Sequence, residues 1–159
     1  MKLKTLLIGL VLVFFSMTTM AQSQGDVRAG AGLGYAFGPF GGDATIGFGA
    51  IFEYVFKSAM SGSIEYYSYT IDSFTTTVLG IDYRYYFVTG DTQVYGAAGL
   101  TSLGGDVDGT VGLSLGAGAI FPISGNLGAT GALNYNLAKP DEAEDPFGFN
   151  LKAGVVYSF

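Results

Sequence analysis

The last thirteen residues, FGFNLKAGVVYSF (147–159), alternate with a period of two. Phe149, Leu151, Ala153, Val155, Tyr157 and Phe159 fall on one face, and Asn150, Lys152 and Ser158 fall on the other. Successive side chains of an extended chain point to opposite sides, so this is a β-strand with one apolar and one polar face.

The same pattern recurs upstream as far as Asp26, and no stretch shows helical periodicity. Turn-forming Gly, Pro and polar residues divide it into eight strands: 26–37, 44–56, 62–71, 74–88, 92–103, 109–121, 126–137 and 147–159. Six have a clear apolar face, for example Ile46, Phe48, Ala50, Phe52, Tyr54 and Phe56 in the second. The third and fifth have mixed faces. Most exceed the strand length usual in globular domains and suit a tilted membrane crossing, which takes about 9–11 residues. An even number of antiparallel strands closes without an edge and leaves both termini on one side. Closure matters because lipid cannot satisfy a free strand edge. The expected fold is therefore all-β: an eight-stranded antiparallel up-and-down transmembrane β-barrel. Connections 38–43, 72–73, 104–108 and 138–146 belong to one end, and 57–61, 89–91 and 122–125 to the end bearing the termini.

A cleaved signal peptide is expected ahead of the barrel. Lys2 and Lys4 precede ten apolar residues from Leu6 to Phe15, and small residues at Thr19 and Ala21 suit a signal peptidase. The apolar run is shorter than the roughly 20 residues a membrane-spanning helix needs. The domain division is thus 1–21 signal peptide and 22–159 barrel. Without Lys2 and Lys4 the formal charge moves from −6 to −8, which removes a basic nucleic-acid footprint. Charged residues make up 13% of the chain, well below the roughly 25–35% of a soluble surface.

Within the strands the ionisable acids and bases are Asp26, Arg28, Glu53, Glu65, Asp82, Arg84 and Lys152, all on the face opposite the large apolar residues. So few charges cannot clothe a water-exposed exterior, but they can form a paired salt-bridge network filling a narrow lumen. Centring the 57–61 turn sets Glu53 opposite Glu65, and centring the 38–43 loop sets Arg28 opposite Glu53. Asp82 then falls diagonally near Glu65. Tyr67, Tyr86 and Tyr95 are candidate lumen fillers among small residues. Aromatic residues gather at both strand ends: Tyr54, Phe56, Tyr83, Tyr85, Phe87, Phe121, Tyr157 and Phe159 at the terminal end, and Tyr35, Phe37, Phe48, Phe74, Tyr135, Phe147 and Phe149 at the other. Two girdles are what anchoring at two membrane interfaces requires.

With the leader, the alternating strands and the ending Gly154-Val155-Val156-Tyr157-Ser158-Phe159, the chain resembles the small bacterial outer-membrane barrels typified by the OmpA membrane domain and OmpX. The Gly-Ala-Gly-Leu-Gly-Tyr text at 30–35 is similar to that family too. The resemblance implies an outer-membrane location with periplasmic termini and a monomer in contact with lipopolysaccharide. It also implies an assembly signal at Tyr157 and Phe159, read by the barrel-assembly machinery. Relatives that bind host surfaces carry long outer loops, whereas the longest here has nine residues (138–146).

The chain contains no His and no Cys, so the common nucleophile–base pairs are missing. The glycines recur every second residue with no helix after them, which excludes phosphate-binding loops. Two carboxylates about 5 Å apart across strands could form an acid–base couple, but interleaved bases favour a structural network. Acidic connections offer weak divalent-cation candidates at Asp106, Asp108, Asp141, Glu142, Glu144 and Asp145. No cofactor is expected. The sequence points to a non-enzymatic barrel for envelope integrity with a charge-plugged lumen, with a surface ligand-binding protein or narrow porin-like channel as the alternative.

Overall fold

The computed structural model describes residues 24–37, 44–71, 73–106, 109–139 and 148–159. They form eight strands: β1 (Val27–Phe37), β2 (Thr45–Lys57), β3 (Met60–Ile71), β4 (Phe74–Thr89), β5 (Gln93–Gly105), β6 (Thr110–Ser124), β7 (Leu127–Asn136) and β8 (Gly148–Ser158). Each pairs antiparallel with its sequence neighbours, and β8 pairs back onto β1, so the sheet closes. The eight expected strands are all present. The expected signal peptide lies outside the described residues.

Several strands run further than their sequence pattern shows, among them β5, which continues to Gly105, and β3 and β6. β3 begins at Met60 and leaves only Ser58 and Ala59 as the turn, with a register shift between Val55 and Lys57. β6 continues through Pro122 to Ser124, and the ladder slips there between Pro122 and Ser124. Proline lacks an N–H to donate, so a bulge at the strand end accommodates it. The turn that follows holds Gly125 at φ 51°, the left-handed backbone that tight hairpins demand.

Crossing the pairs from Val27 through Tyr54, Gly62, Tyr83, Ala98, Leu115, Tyr135 and Phe149 returns to β1 at Phe37, a stagger of ten residues. With strands about 4.8 Å apart and a rise of about 3.3 Å per residue, that stagger tilts them by roughly 40° around a backbone radius of roughly 8 Å. An eleven-residue strand such as β1 then rises about 28 Å, near the height of about 25 Å of an outer-membrane apolar band. So narrow a barrel must fill its own interior.

The alternation decides what lies on each side. Ile46, Phe52, Ile64, Ile81, Leu100, Leu113, Leu133 and Leu151 project outward and are exposed. β3 resolves its mixed sequence by turning Ile64 and Tyr66 out and Glu65, Tyr67 and Tyr69 in. The outward aromatics touch within each girdle. Tyr85–Phe87 and Tyr157–Phe159 centroids lie 5.3 and 5.0 Å apart at the terminal end. Tyr35–Phe37 and Tyr135–Phe149 both lie 4.7 Å apart at the opposite end. Phe147, assigned to that girdle from sequence, lies outside the described residues.

Candidate functional site

The lumen is the only region where the described chain buries charge. Arg28, Glu53, Glu65, Asp82, Arg84 and Lys152 are each at most 6% exposed. The strand alternation turns them all inward, and the small circumference brings side chains from five strands together. Arg28 and Glu53 are cross-strand partners on β1 and β2. Glu53 does not face Glu65, however. Its partner is Ser63, and Glu65 faces Ile51. The expected register assumed a five-residue turn; the two-residue turn and the slip at Val55 to Lys57 move the pairing by two.

That shift changes the chemistry. Arg84 now reaches both acids: Nη1 donates to Glu53 Oε2 at 3.0 Å, and Nη2 donates to Glu65 Oε1. Lys152 donates to the other oxygen of Glu65. The remaining Glu53 oxygen accepts from the Tyr86 hydroxyl and lies 3.5 Å from Arg28 Nη1. Arg28 Nη1 also donates to the Tyr86 oxygen at 3.1 Å. The result is an alternating relay, Arg28, Glu53, Arg84, Glu65, Lys152, in which each carboxylate uses both oxygens. With a guanidinium between them, the acids are held as separate counter-ions, unlike a dyad sharing a proton.

Three bases and two acids leave this relay with one excess positive charge, which Asp82 balances. Asp82 lies diagonal to Glu65 across β3 and β4 and makes no ion pair within 4.0 Å among the described residues. It hydrogen-bonds with Ser114, while its Oδ1 is buried without a hydrogen-bond partner. Asp26, half-buried, lines the terminal mouth together with Arg28 of the relay.

Each base rests on a tyrosine ring. Arg84 lies 4.6 Å from the Tyr95 centroid, Lys152 5.0 Å from Tyr67, and Arg28 5.8 Å from Tyr86. Such contacts are worth about 0.5–2 kcal/mol each, more where water is excluded. Tyr69, not singled out from sequence, stacks on Tyr67 at 6.2 Å and accepts a hydrogen bond from Asn150. Its place beside Tyr67 with the same parity was the available signal, masked by the mixed faces of β3. The two rings lie against glycines: a Cβ at Gly47 would strike Tyr69, and one at Gly49 would strike Tyr67.

Two buried apolar clusters pack against the relay, whose Arg28 end lines the cavity at the terminal mouth. Ala36, Ile51, Tyr67, Tyr69, Val78, Leu103 and Ala138 form one, and Tyr86, Tyr95, Ile120, Ala132 and Val156 form the other, nearer the termini. This arrangement can cross-brace the wall and block the bore.

The acidic connections give a different picture. Asp106 Oδ2 accepts the backbone N–H of Thr75 at 2.7 Å, tying the loop after β5 to the start of β4. Asp108, Asp141, Glu142, Glu144 and Asp145 lie outside the described residues. Among the described residues, no three acids, His or Cys gather as metal ligands.

No protein-family model matches the chain, and no curated protein sequence matches it. Solved structures do. Neisserial surface protein A aligns with a TM-score of 0.69 at 20% identity, over 86% of this chain and 98% of that one. The N-terminal β-barrel domain of Pseudomonas aeruginosa OprF gives 0.68 at 18%, over 87% and 100%. The chain has the fold of the small outer-membrane β-barrels. The outer membrane protein OprG of P. aeruginosa, at TM-score 0.68 and 13% identity over 87% and 98%, shares it as well. At such identities the likeness extends to the fold of these small barrels and leaves the lumen chemistry to be read from this chain's own residues.

Proposed function

We propose that the protein is a non-enzymatic integral barrel of a bacterial outer membrane, whose lumen is plugged by paired charges and which contributes to envelope integrity. The observation that carries this reading is the relay of five alternating buried charges across the bore, packed against two buried apolar clusters. The exposed apolar belt and its two aromatic girdles support insertion in lipid. The lack of His and Cys in the chain supports a role without nucleophilic chemistry.

In this reading the termini and the short turns at 58–59, 90–92 and 125–126 face the periplasm. Tyr157 and Phe159 serve as the signal for the barrel-assembly machinery, and the opposite end meets lipopolysaccharide. The protein acts as a monomer. Planar-bilayer recording tests the plug: the purified barrel is expected to give no steady discrete openings, and reproducible openings would replace the plug with a narrow channel. A deletion strain is expected to gain sensitivity to detergents and chelators. Unchanged resistance would remove the integrity role.

A further inference from the structure

The outward apolar belt is not equally tall all round the barrel. At a strand tilt of roughly 40°, each residue climbs about 2.5 Å along the barrel axis. The outward side chains of β1 stay apolar from Val27 to Phe37, those of β2 from Phe56 to Ile46, and those of β8 from Phe159 to Phe149. Each of these runs covers about 25 Å, the height of an outer-membrane apolar band. β3 stays apolar outside only from Met60 to Tyr66 and β5 from Val94 to Leu100, about 15 Å each, and β4 from Phe87 to Leu79, about 20 Å.

The missing height lies at the end away from the termini. Ser68, Thr77 and Ser102 face outward there, since their neighbours Tyr67, Tyr69, Thr76, Val78, Thr101 and Leu103 are buried inside. Ser68 pairs with Thr77, and Ser102 pairs with Leu79, one outward position below Thr77, so the three form one patch. Thr70 and Thr75 continue it, their hydroxyls 3.4 Å apart. Following the register round from Val27 puts the patch about 21–25 Å above that residue, level with Phe37, Ile46 and Phe149. Phe74, exposed at the tip of β4, stands beyond the patch and leaves the gap in the belt open. At the terminal end, Met60, Phe87 and Val94 lie within about 6 Å in height of Val27, Phe56 and Phe159. Tilting the whole barrel would level the outer edge only by unlevelling this one, so the mismatch falls on the bilayer.

We propose that the outward face of β3–β5 is a contact surface for lipid headgroups, where the leaflet opposite the termini dips by about 5–10 Å against Ser68, Thr77 and Ser102. Their hydroxyls donate to ester-carbonyl and phosphate oxygens of the lipid, partners that hydrocarbon cannot supply. Around the other strands the leaflet keeps its full height. The inference rests on insertion in lipid through the exposed belt and is independent of the plugged lumen.

The chain has no Cys, so a single spin-labelled cysteine reports one position. The folded protein is placed in dimyristoylphosphatidylcholine vesicles with the label at Ser68→Cys or Ser102→Cys or, at the same height, at Ile46→Cys or Phe149→Cys. Collision with a water-soluble nickel chelate, set against collision with oxygen, gives the depth of each label. The Ser68 and Ser102 sites are expected to read at least about 5 Å shallower than the Ile46 and Phe149 sites. Adding Ser68→Leu and Thr77→Leu to the Ser102 label is expected to remove most of that difference by extending the belt. Equal depths within the hydrocarbon at all four sites, or a difference that the two leucines leave intact, would overturn the proposal. Shielding of the Ser68 and Ser102 sites from both reagents, with dipolar broadening between labels, would overturn it too and assign the face to a second copy of the chain. Full nickel access at the Ile46 and Phe149 sites as well would show that the belt is not in lipid, which removes the insertion reading and the proposal with it.

Discussion

Glu53→Gln keeps the shape of the side chain and removes its charge, so it isolates the relay from the packing around it. Glu53 is fully buried and serves Arg84, Arg28 and Tyr86 at once. Neutralising it leaves Arg28 without an ion pair among the described residues, while Arg84 retains Glu65. Removing one partner of a buried pair costs about 3–5 kcal/mol. Because Arg84 keeps its second acid, about 3 kcal/mol is the expected loss. With a urea dependence of about 2 kcal/mol per molar, the unfolding midpoint should fall by about 1.5 M. Urea titration of the refolded barrel in lipid bilayers, followed by tyrosine fluorescence and gel mobility, measures this directly.

The charge count supplies a second arm. The six lumen groups are balanced, Glu53→Gln leaves them at plus one, and adding Arg28→Gln restores neutrality. The double variant should therefore be more stable than the sum of the single effects, by at least about 1 kcal/mol. A single-variant midpoint within about 0.2 M of the native one, or strictly additive effects, would refute the reasoning.

The tyrosines separate two kinds of lumen contact. Tyr67→Phe should leave stability within about 0.5 kcal/mol of native or raise it, because the Tyr67 hydroxyl is buried with no partner; Tyr69→Phe should cost about 1 kcal/mol through loss of the Asn150 bond. Chemical unfolding of both variants checks the contrast, and equal losses would contradict it. Gly49→Ala should cost about 1–3 kcal/mol, because its Cβ would meet both the Tyr67 ring and the backbone carbonyl of Tyr66; it is measured in the same way, and a neutral result would contradict that crowding. Ile81→Arg places a charge on the exposed apolar belt midway along β4; folding into bilayers should lose about 2–4 kcal/mol, and a loss no larger than that of Thr89→Arg at the strand end would count against lipid contact there.

The closed fold was legible because a period of two is robust to error. Strand ends could be misjudged by one to three residues, as at Met60 and Ser124, without moving any side chain to the wrong face. The lumen was legible only by residue type. Parity assigned Arg28, Glu53, Glu65, Asp82, Arg84 and Lys152 to one face, but which of them meet depends on register. Register depends in turn on turn length and bulges, and Lys57-Ser58-Ala59-Met60 carries no Gly, Asn, Asp or Pro to announce a two-residue turn. The tyrosine seats for the three bases were equally hidden, since they form between strands that are not sequence neighbours, as with Lys152 on β8 and Tyr67 on β3.

The register first expected for β2 and β3 has a physical meaning of its own. A slip of two residues preserves every inward and outward assignment, so the apolar pattern that specifies most of this barrel cannot discriminate against it. The lumen can. In the slipped pairing Glu53 and Glu65 would stand directly opposite, like charges about 5 Å apart. Tyr67 would meet Ile51 in place of Gly49, and Tyr69 would meet Gly49 in place of Gly47. In the observed pairing each ring finds a glycine, and each acid finds Arg84. Lipid is as apolar as the belt it touches, so burying the exterior in it supplies little that distinguishes one register from another. Selection between registers therefore falls to the interior. Glu53, Glu65, Gly47 and Gly49 then do in β2 and β3 what hydrophobic matching does in a soluble sheet, which gives the relay a structural reason to exist even where no ion ever crosses it.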